Sequence, residues 1–87
     1  MTARLQARVI VTPRRGILDP HGRAVLQSLH ALGFTEVAEV RVGKYLEIGL
    51  RELGRDAAAE RVRAMCEQLL ANGVIEDFRI DIDEEPR

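Results

Sequence analysis

The sequence predicts an α+β domain in the order strand, helix, long central strand, helix, strand. Three observations predict it. Apolar and polar residues alternate from Leu5 to Val11 and again from Asp77 to Ile82. Two intervening stretches repeat apolar residues at helical spacing, each with an aspartate at its start and a glycine after its end. Between them, Val37 to Leu50 alternates too regularly to read as a loop.

In the first strand, Leu5, Ala7, Val9 and Val11 share a face, Gln6, Arg8 and Ile10 take the other, and Pro13 ends it. The loop Arg14-Arg15-Gly16-Ile17-Leu18 follows. Asp19 is a suitable N-cap and Pro20 a suitable first helical residue, because its missing N–H would find no partner there. Val25, Leu26, Leu29 and Leu32 then form an apolar stripe, and Gly33 suits a left-handed stop, so the first helix spans about 20–32. As a plain N-cap, Asp19 would be replaceable by Asn or Ser with little loss.

The central segment admits two readings. A hairpin at Gly43-Lys44 would give β-α-β-β-α-β, but a two-residue turn sets Val42 against Tyr45 and Val40 against Glu47, pairing apolar with polar side chains. As one strand, Ala38, Val40, Val42, Leu46, Ile48 and Leu50 share a face that only Lys44 interrupts, with Gly43 at a bend. The long bent strand is adopted here; a hairpin with a three-residue loop is the alternative. A strand this long exceeds the usual ~5–6 residues, and a second copy of the chain would pair its excess.

The second helix starts near Asp56 and presents Ala58, Val62, Met65, Cys66 and Leu69 along one face. Asn72-Gly73 ends it. In the last strand Phe78, Ile80 and Ile82 oppose Asp77, Arg79 and Asp81. Residues 83–87 read as a solvated tail, and residues 1–87 as a single domain.

Composition narrows the function. Thirteen basic against fourteen acidic residues leave a net charge of −1, which argues against nucleic-acid binding. Phe34, Tyr45 and Phe78 are the three aromatics, too few for a base-stacking platform once Phe78 joins the core. No stretch is a membrane span or a secretory leader, and one cysteine makes no internal disulfide, so the expected location is the cytoplasm.

No catalytic constellation emerges. The loop before Pro20 is neither a Walker A sequence nor a GxGxxG, and Asp19 would repel an anion there. His21 and His30 have no metal-spaced partners. Cys66 reads as a small core residue. Glu52, Asp56 and Glu60 read as surface and helix-start charges. Arg14, Arg15, Arg41, Gly43, Lys44 and Tyr45 are the candidate partner-contact residues, and Asp19, Pro20 and Gly22 build the helix start.

Gly16-Ile17-Leu18-Asp19-Pro20 with Gly22, Val40-Arg41-Val42-Gly43-Lys44, Leu69-Leu70-Ala71-Asn72 and Val74-Ile75-Glu76-Asp77 run in order across nearly the whole chain. In these motifs the sequence resembles the PurS family, the small subunit of phosphoribosylformylglycinamidine (FGAM) synthase. It departs at Gly73, where the family usually has proline, and at His21, where it usually has an amide. The resemblance implies a fold related to the ferredoxin-like folds, with two helices on one face of the sheet. It further implies a subunit without catalytic residues or bound cofactor, assembled as a dimer or tetramer through its strands. It would bridge a large synthetase subunit, which uses ATP and magnesium, and a glutaminase subunit, supporting ammonia transfer between them. The alternative is a stand-alone regulatory domain of ACT type that binds a small ligand. An acylphosphatase-like enzyme is more remote, since its phosphate loop is missing.

Overall fold

The computed structural model describes residues 4–51 and 54–84. Glu52 and residues 85–87 of the expected tail lie outside the described residues. Strand β1 (Arg4–Pro13) is followed by helix α1 (Pro20–Ala31), strand β2 (Lys44–Arg51), helix α2 (Arg55–Met65), a π-helical turn (Cys66–Leu70) and strand β3 (Glu76–Glu84). The sheet order is β2-β1-β3, with both pairings antiparallel. β3 takes in Asp83 and Glu84, the first residues of the expected tail.

Strand parity follows the side-chain alternation. Leu5, Ala7, Val9 and Val11 are buried beneath α2, opposite Leu50, Ile48, Leu46 and Lys44 on β2. Phe78, Ile80 and Ile82 extend the same face from β3. The core joins the β1 residues to Leu50, Ala58, Val62, Cys66 and Ala71. These are mostly small side chains, so α2 lies close to the sheet. The opposite face carries no helix among the described residues; there Arg8 pairs with Asp83.

The second helix corrects one expectation. After Met65 it widens into π geometry, and the Ala71 N–H donates five residues back, to the Cys66 carbonyl, at 3.0 Å. The wider turn rotates the following residues. Leu70 packs on the core, while Leu69, expected on the buried face, is 81% exposed.

The central segment is a second correction. It forms no hairpin, and its paired strand begins only at Lys44. Residues 37–43 lie outside the sheet and run back along α1. The ring Nε2 of His30, near the end of α1, meets the Val37 carbonyl at 2.7 Å. Gly22, in the first turn, faces the Val40 carbonyl. The Val42 N–H donates to Asp19 at 2.9 Å. Together α1 and 37–43 make an arm.

The expectation of two helices on one sheet face therefore holds for α2 and not for α1 within one chain. Gly22 is the only fully buried residue of α1. Val25, Leu26 and Leu29 are half-buried, and Leu32 is 74% exposed. The radius of gyration is 16.8 Å, against about 12 Å for a compact chain of this length. The molecule measures 54 × 31 × 15 Å.

Two glycines permit the close approaches at the base of the arm. A Cβ on Gly22 would collide with the Val40 carbonyl oxygen, and one on Gly43 with the Val11 carbonyl oxygen. Both obstacles are backbone, which cannot swing aside as a side chain can. Gly22→Ala and Gly43→Ala should each cost roughly 1–3 kcal/mol in urea unfolding. Gly73→Ala meets nothing within 4 Å and should be neutral or slightly stabilising.

Candidate functional site

The loop between β1 and α1 is held at both ends. At its start, the Arg14 N–H donates to the Ile75 carbonyl at 2.8 Å, and the Arg14 Nε lies 3.3 Å from the Asp77 carboxylate. Gly16 turns the chain with φ +83°, in the left-handed region. At its end stands Asp19. One carboxylate oxygen accepts the Gly22 N–H at 3.0 Å, capping α1, and the other accepts the Val42 N–H at 2.9 Å.

These two backbone donors, Gly22 before Val42, hold the Asp19 carboxyl below the ordinary carboxylate range against a smaller opposing effect of desolvation. The cap was legible in the sequence, but the bond to Val42 was not. It changes the substitution pattern expected of a plain N-cap. Asn has one acceptor oxygen and would turn an NH2 group toward one of the two donors. Ser satisfies only one of them.

Between this loop and residues 38–41 lies an open cleft of about 270 Å³. Arg14, Arg15, Arg23 and Arg41 line it, with Ile17 and Leu18 on the loop side. Arg15 stands 4.0 Å from Glu39, and Arg41 donates to the Pro13 carbonyl at 3.0 Å.

Of the six candidate partner-contact residues, the fold therefore gathers Arg14, Arg15 and Arg41 around one cleft. The other three lie apart. Gly43 is pressed against β1 at Val11. The Lys44 ammonium donates to the Leu70 carbonyl at 2.8 Å, closing the C-terminal end of the α2–π turn. This explains the charge that interrupts an apolar strand face. Tyr45 lies on the helix-free face, its hydroxyl bonded to Glu47 at 3.0 Å; partial desolvation and this carboxylate raise its pKa. Asp19, Pro20 and Gly22 occupy the helix start as expected. Arg23 was missed, because a lone arginine on an amphipathic helix carries no signal of the cleft it faces.

No group of three or more His, Cys, Asp or Glu side chains is placed to hold a metal among the described residues. Cys66 is buried in the core, and that burial pushes its thiol up, away from the reactive thiolate. Among the described residues, no helix is long and apolar enough to cross a membrane.

A depressed native pKa means that Asp19 adds stability in full above the ordinary carboxylate range. The contribution is lost as pH falls through the native value. The melting-temperature gap between the unmodified chain and Asp19→Asn should thus be wide at neutral pH and should narrow as pH falls below the ordinary carboxylate range. Asp19→Asn and Asp19→Ser should both be measurably destabilised at neutral pH. Equality of either with the unmodified chain would remove the Val42 bond from this account.

Comparison with known proteins covers nearly the whole chain. Residues 6–84 match the family model "PurS: Phosphoribosylformylglycinamidine (FGAM) synthase". The chain is 43% identical over 79 residues to the phosphoribosylformylglycinamidine synthase subunit PurS of Bacillus subtilis, covering 91% of this chain and 93% of that one. The structure of B. subtilis PurS superposes with a TM-score of 0.82 at 42% identity, over 92% of this chain and 99% of the other. A chain in the structure of PurLQS from Thermotoga maritima superposes with a TM-score of 0.75 at 28% identity, over 93% and 98%.

Proposed function

We propose a function from one premise: the chain belongs to the PurS family of phosphoribosylformylglycinamidine (FGAM) synthase. It is a subunit of that ligase in purine biosynthesis and a member of its multi-subunit complex. The observation that carries this reading is the match across residues 6–84. The ACT-type regulatory alternative is not favoured.

Within the complex, the chain acts as a scaffold without catalytic residues of its own. It bridges the large synthetase subunit and the glutaminase subunit. ATP and magnesium are used by the large subunit, and this chain binds no cofactor. Its contribution is geometric. Ammonia released by a glutaminase is lost to diffusion and protonation unless the two active sites are held in register and shielded from water. Arg14, Arg15, Arg41, Gly43, Lys44 and Tyr45 form or support the partner-facing surface, and the complex works in the cytoplasm.

The chain also assembles with itself, as a dimer or tetramer. Two features support this. The arm is not seated on the sheet of its own chain, and Ala38 to Arg41 belong to no helix or strand and take no ladder partners among the described residues. Backbone without ladder partners and half-buried apolar helix residues are what a second copy covers. The expected result in light scattering at micromolar concentration is a homo-oligomer; a monomer would remove this part of the reading.

Alone, the protein should show no ATPase, glutaminase or ligase activity. Added to the large and glutaminase subunits, it should enable glutamine-dependent FGAM synthesis, measured as product formed with glutamine or ammonium as nitrogen donor. Full activity from both donors without this chain would overturn the scaffold role. Because Arg41 and Lys44 also bond Pro13 and Leu70 within the chain, their replacement should lower folding stability as well as assembly.

A further inference from the structure

The turn from the π helix into β3 carries Asn72-Gly73, and Asn72 is the only asparagine of the chain. Both residues are exposed. The Asn72 carboxamide has a fixed orientation. Its Oδ1 accepts the Val74 N–H at 3.0 Å, so its NH2 group points away from Val74 and bonds nothing among the described residues. The Asn72 N–H donates to Glu76 Oε1 at 2.8 Å, and the Asn72 carbonyl accepts the N–H groups of Ile75 and Glu76 at 3.1 and 2.7 Å. Of the N–H groups from Asn72 to Glu76, only that of Gly73 has no acceptor among the described residues. Turn formation accounts for the Val74 bond, but it does not call for glycine at 73. The φ of Gly73 is not in the left-handed region, and a Cβ there would meet nothing within 4 Å.

The arrangement suits attack by the Gly73 nitrogen on the Asn72 carboxamide carbon. Such an attack closes a ring within one chain and needs no encounter between separate molecules. The Gly73 N–H has no hydrogen bond to give up before it loses its proton, and glycine brings no side chain to crowd the approach. As the new bond forms, negative charge develops on Oδ1, and the Val74 N–H already donates to that oxygen.

We propose that Asn72 is a site of spontaneous modification, converted through a succinimide to aspartate and isoaspartate. The Gly73 nitrogen gives its proton to solvent hydroxide and bonds to Asn72 Cγ. The Cγ–Nδ2 bond breaks, and Nδ2 takes up a proton and leaves as ammonia. Water then opens the ring at either carbonyl, so one water is consumed, one ammonia is released and nothing is oxidised or reduced. Either product places a carboxylate next to Glu76 and near the carbonyl end of the π turn, where Lys44 holds the Leu70 carbonyl and added negative charge is unfavourable. In isoaspartate the main chain runs through Cβ and Cγ. The carbonyl that received the Ile75 and Glu76 N–H groups then leaves the main chain as a carboxylate oxygen. The turn that leads into β3 is loosened, together with the bond from the Arg14 N–H to the Ile75 carbonyl.

The test incubates the full-length chain in mildly alkaline heavy-oxygen water, well below its melting temperature, beside Gly73→Ala, Gly73→Pro and a synthetic peptide of residues 70–76. Conversion is read by intact mass and by peptide mapping of residue 72. The folded chain should exchange one NH2 for one heavy-oxygen OH at residue 72, with isoaspartate among the products. Gly73→Pro, which has no N–H to lose, should show no exchange. Gly73→Ala should keep its melting temperature and convert several-fold more slowly, so the test does not depend on the proline variant folding. The converted chain should melt below the unconverted one, and equal melting temperatures would overturn the loosening of the turn. A folded chain that stays intact while the peptide converts would show that the turn protects Asn72, and would overturn the proposal. Exchange that persists in Gly73→Pro, or that runs equally fast in Gly73→Ala, would assign the reaction to direct attack by water and overturn it as well. None of these outcomes bears on the assembly reading above.

Discussion

The carboxylate of Asp19 accepts the N–H of Gly22 and the N–H of Val42, and the shape of the chain depends on that pair of bonds. The first fixes where α1 begins. The second ties the start of α1 to a segment 23 residues further on, which has no ladder partner among the described residues. An aspartate suits this position because an ionised carboxylate is acceptor-only, with lone pairs on both oxygens. Glycine on each side completes the arrangement. Gly22 lets the Val40 carbonyl close on the helix, and Gly43 lets the chain pass the end of β1 before entering β2. Proline at the first helical position adds a fixed φ and removes a donor that would otherwise lack a partner.

What this junction holds out from the sheet sets the energetics. The fully buried side chains come from one face of the sheet and one helix, and alanine, valine and cysteine predominate among them. Such a core brings α2 close but buries modest apolar area, as expected of a chain this short. The apolar stripe of α1 is left half-covered. A partner that binds the folded chain and not the unfolded one therefore contributes directly to its stability. Lys44, itself exposed, closes the end of the π turn from the solvent side. Its charge sits in an otherwise apolar row because the carbonyl at the end of the π turn takes its ammonium.

Much of this was legible in the sequence, and the omissions have physical causes. Alternation identified the buried faces of β1, β2 and β3, because side-chain parity is a local property of a strand. Asp19, Pro20 and Gly33 marked the ends of α1 because capping is local too. Alternation does not say what a strand pairs with. Ala38, Val40 and Val42 continue the parity of Leu46 and Leu50, yet they leave the sheet at Gly43. The π turn was invisible for a similar reason. One extra residue in a turn changes no residue type, yet it moves Leu69 outward and Leu70 inward. The stripe of α1 gives no sign of what covers it, because an amphipathic helix looks the same whether its cover comes from its own chain or from another. The cleft was half legible. Arg14, Arg15 and Arg41 stood out by loop and strand position, while Arg23 and the second bond of Asp19 depend on tertiary placement.

The same carboxylate also governs the cleft. One wall is the loop that ends at Asp19, and the other is the segment that Asp19 holds through Val42. The two walls are thus joined at their base in the folded chain before any partner arrives. The entropy of ordering them is incurred on folding rather than on association, which favours tighter binding from a small contact area. The arginines divide in keeping with this. Arg41 and Arg14 are braced by backbone carbonyls, Arg14 by Asp77 as well, whereas Arg15 reaches only Glu39, at 4.0 Å, and Arg23 has no ion-pair partner among the described residues. Replacing a braced arginine changes the shape of the cleft as well as its charge; replacing one of the other two changes its charge alone. The physical consequence is that Asp19, through its bonds to Gly22 and Val42, fixes how the two walls of the cleft stand to one another.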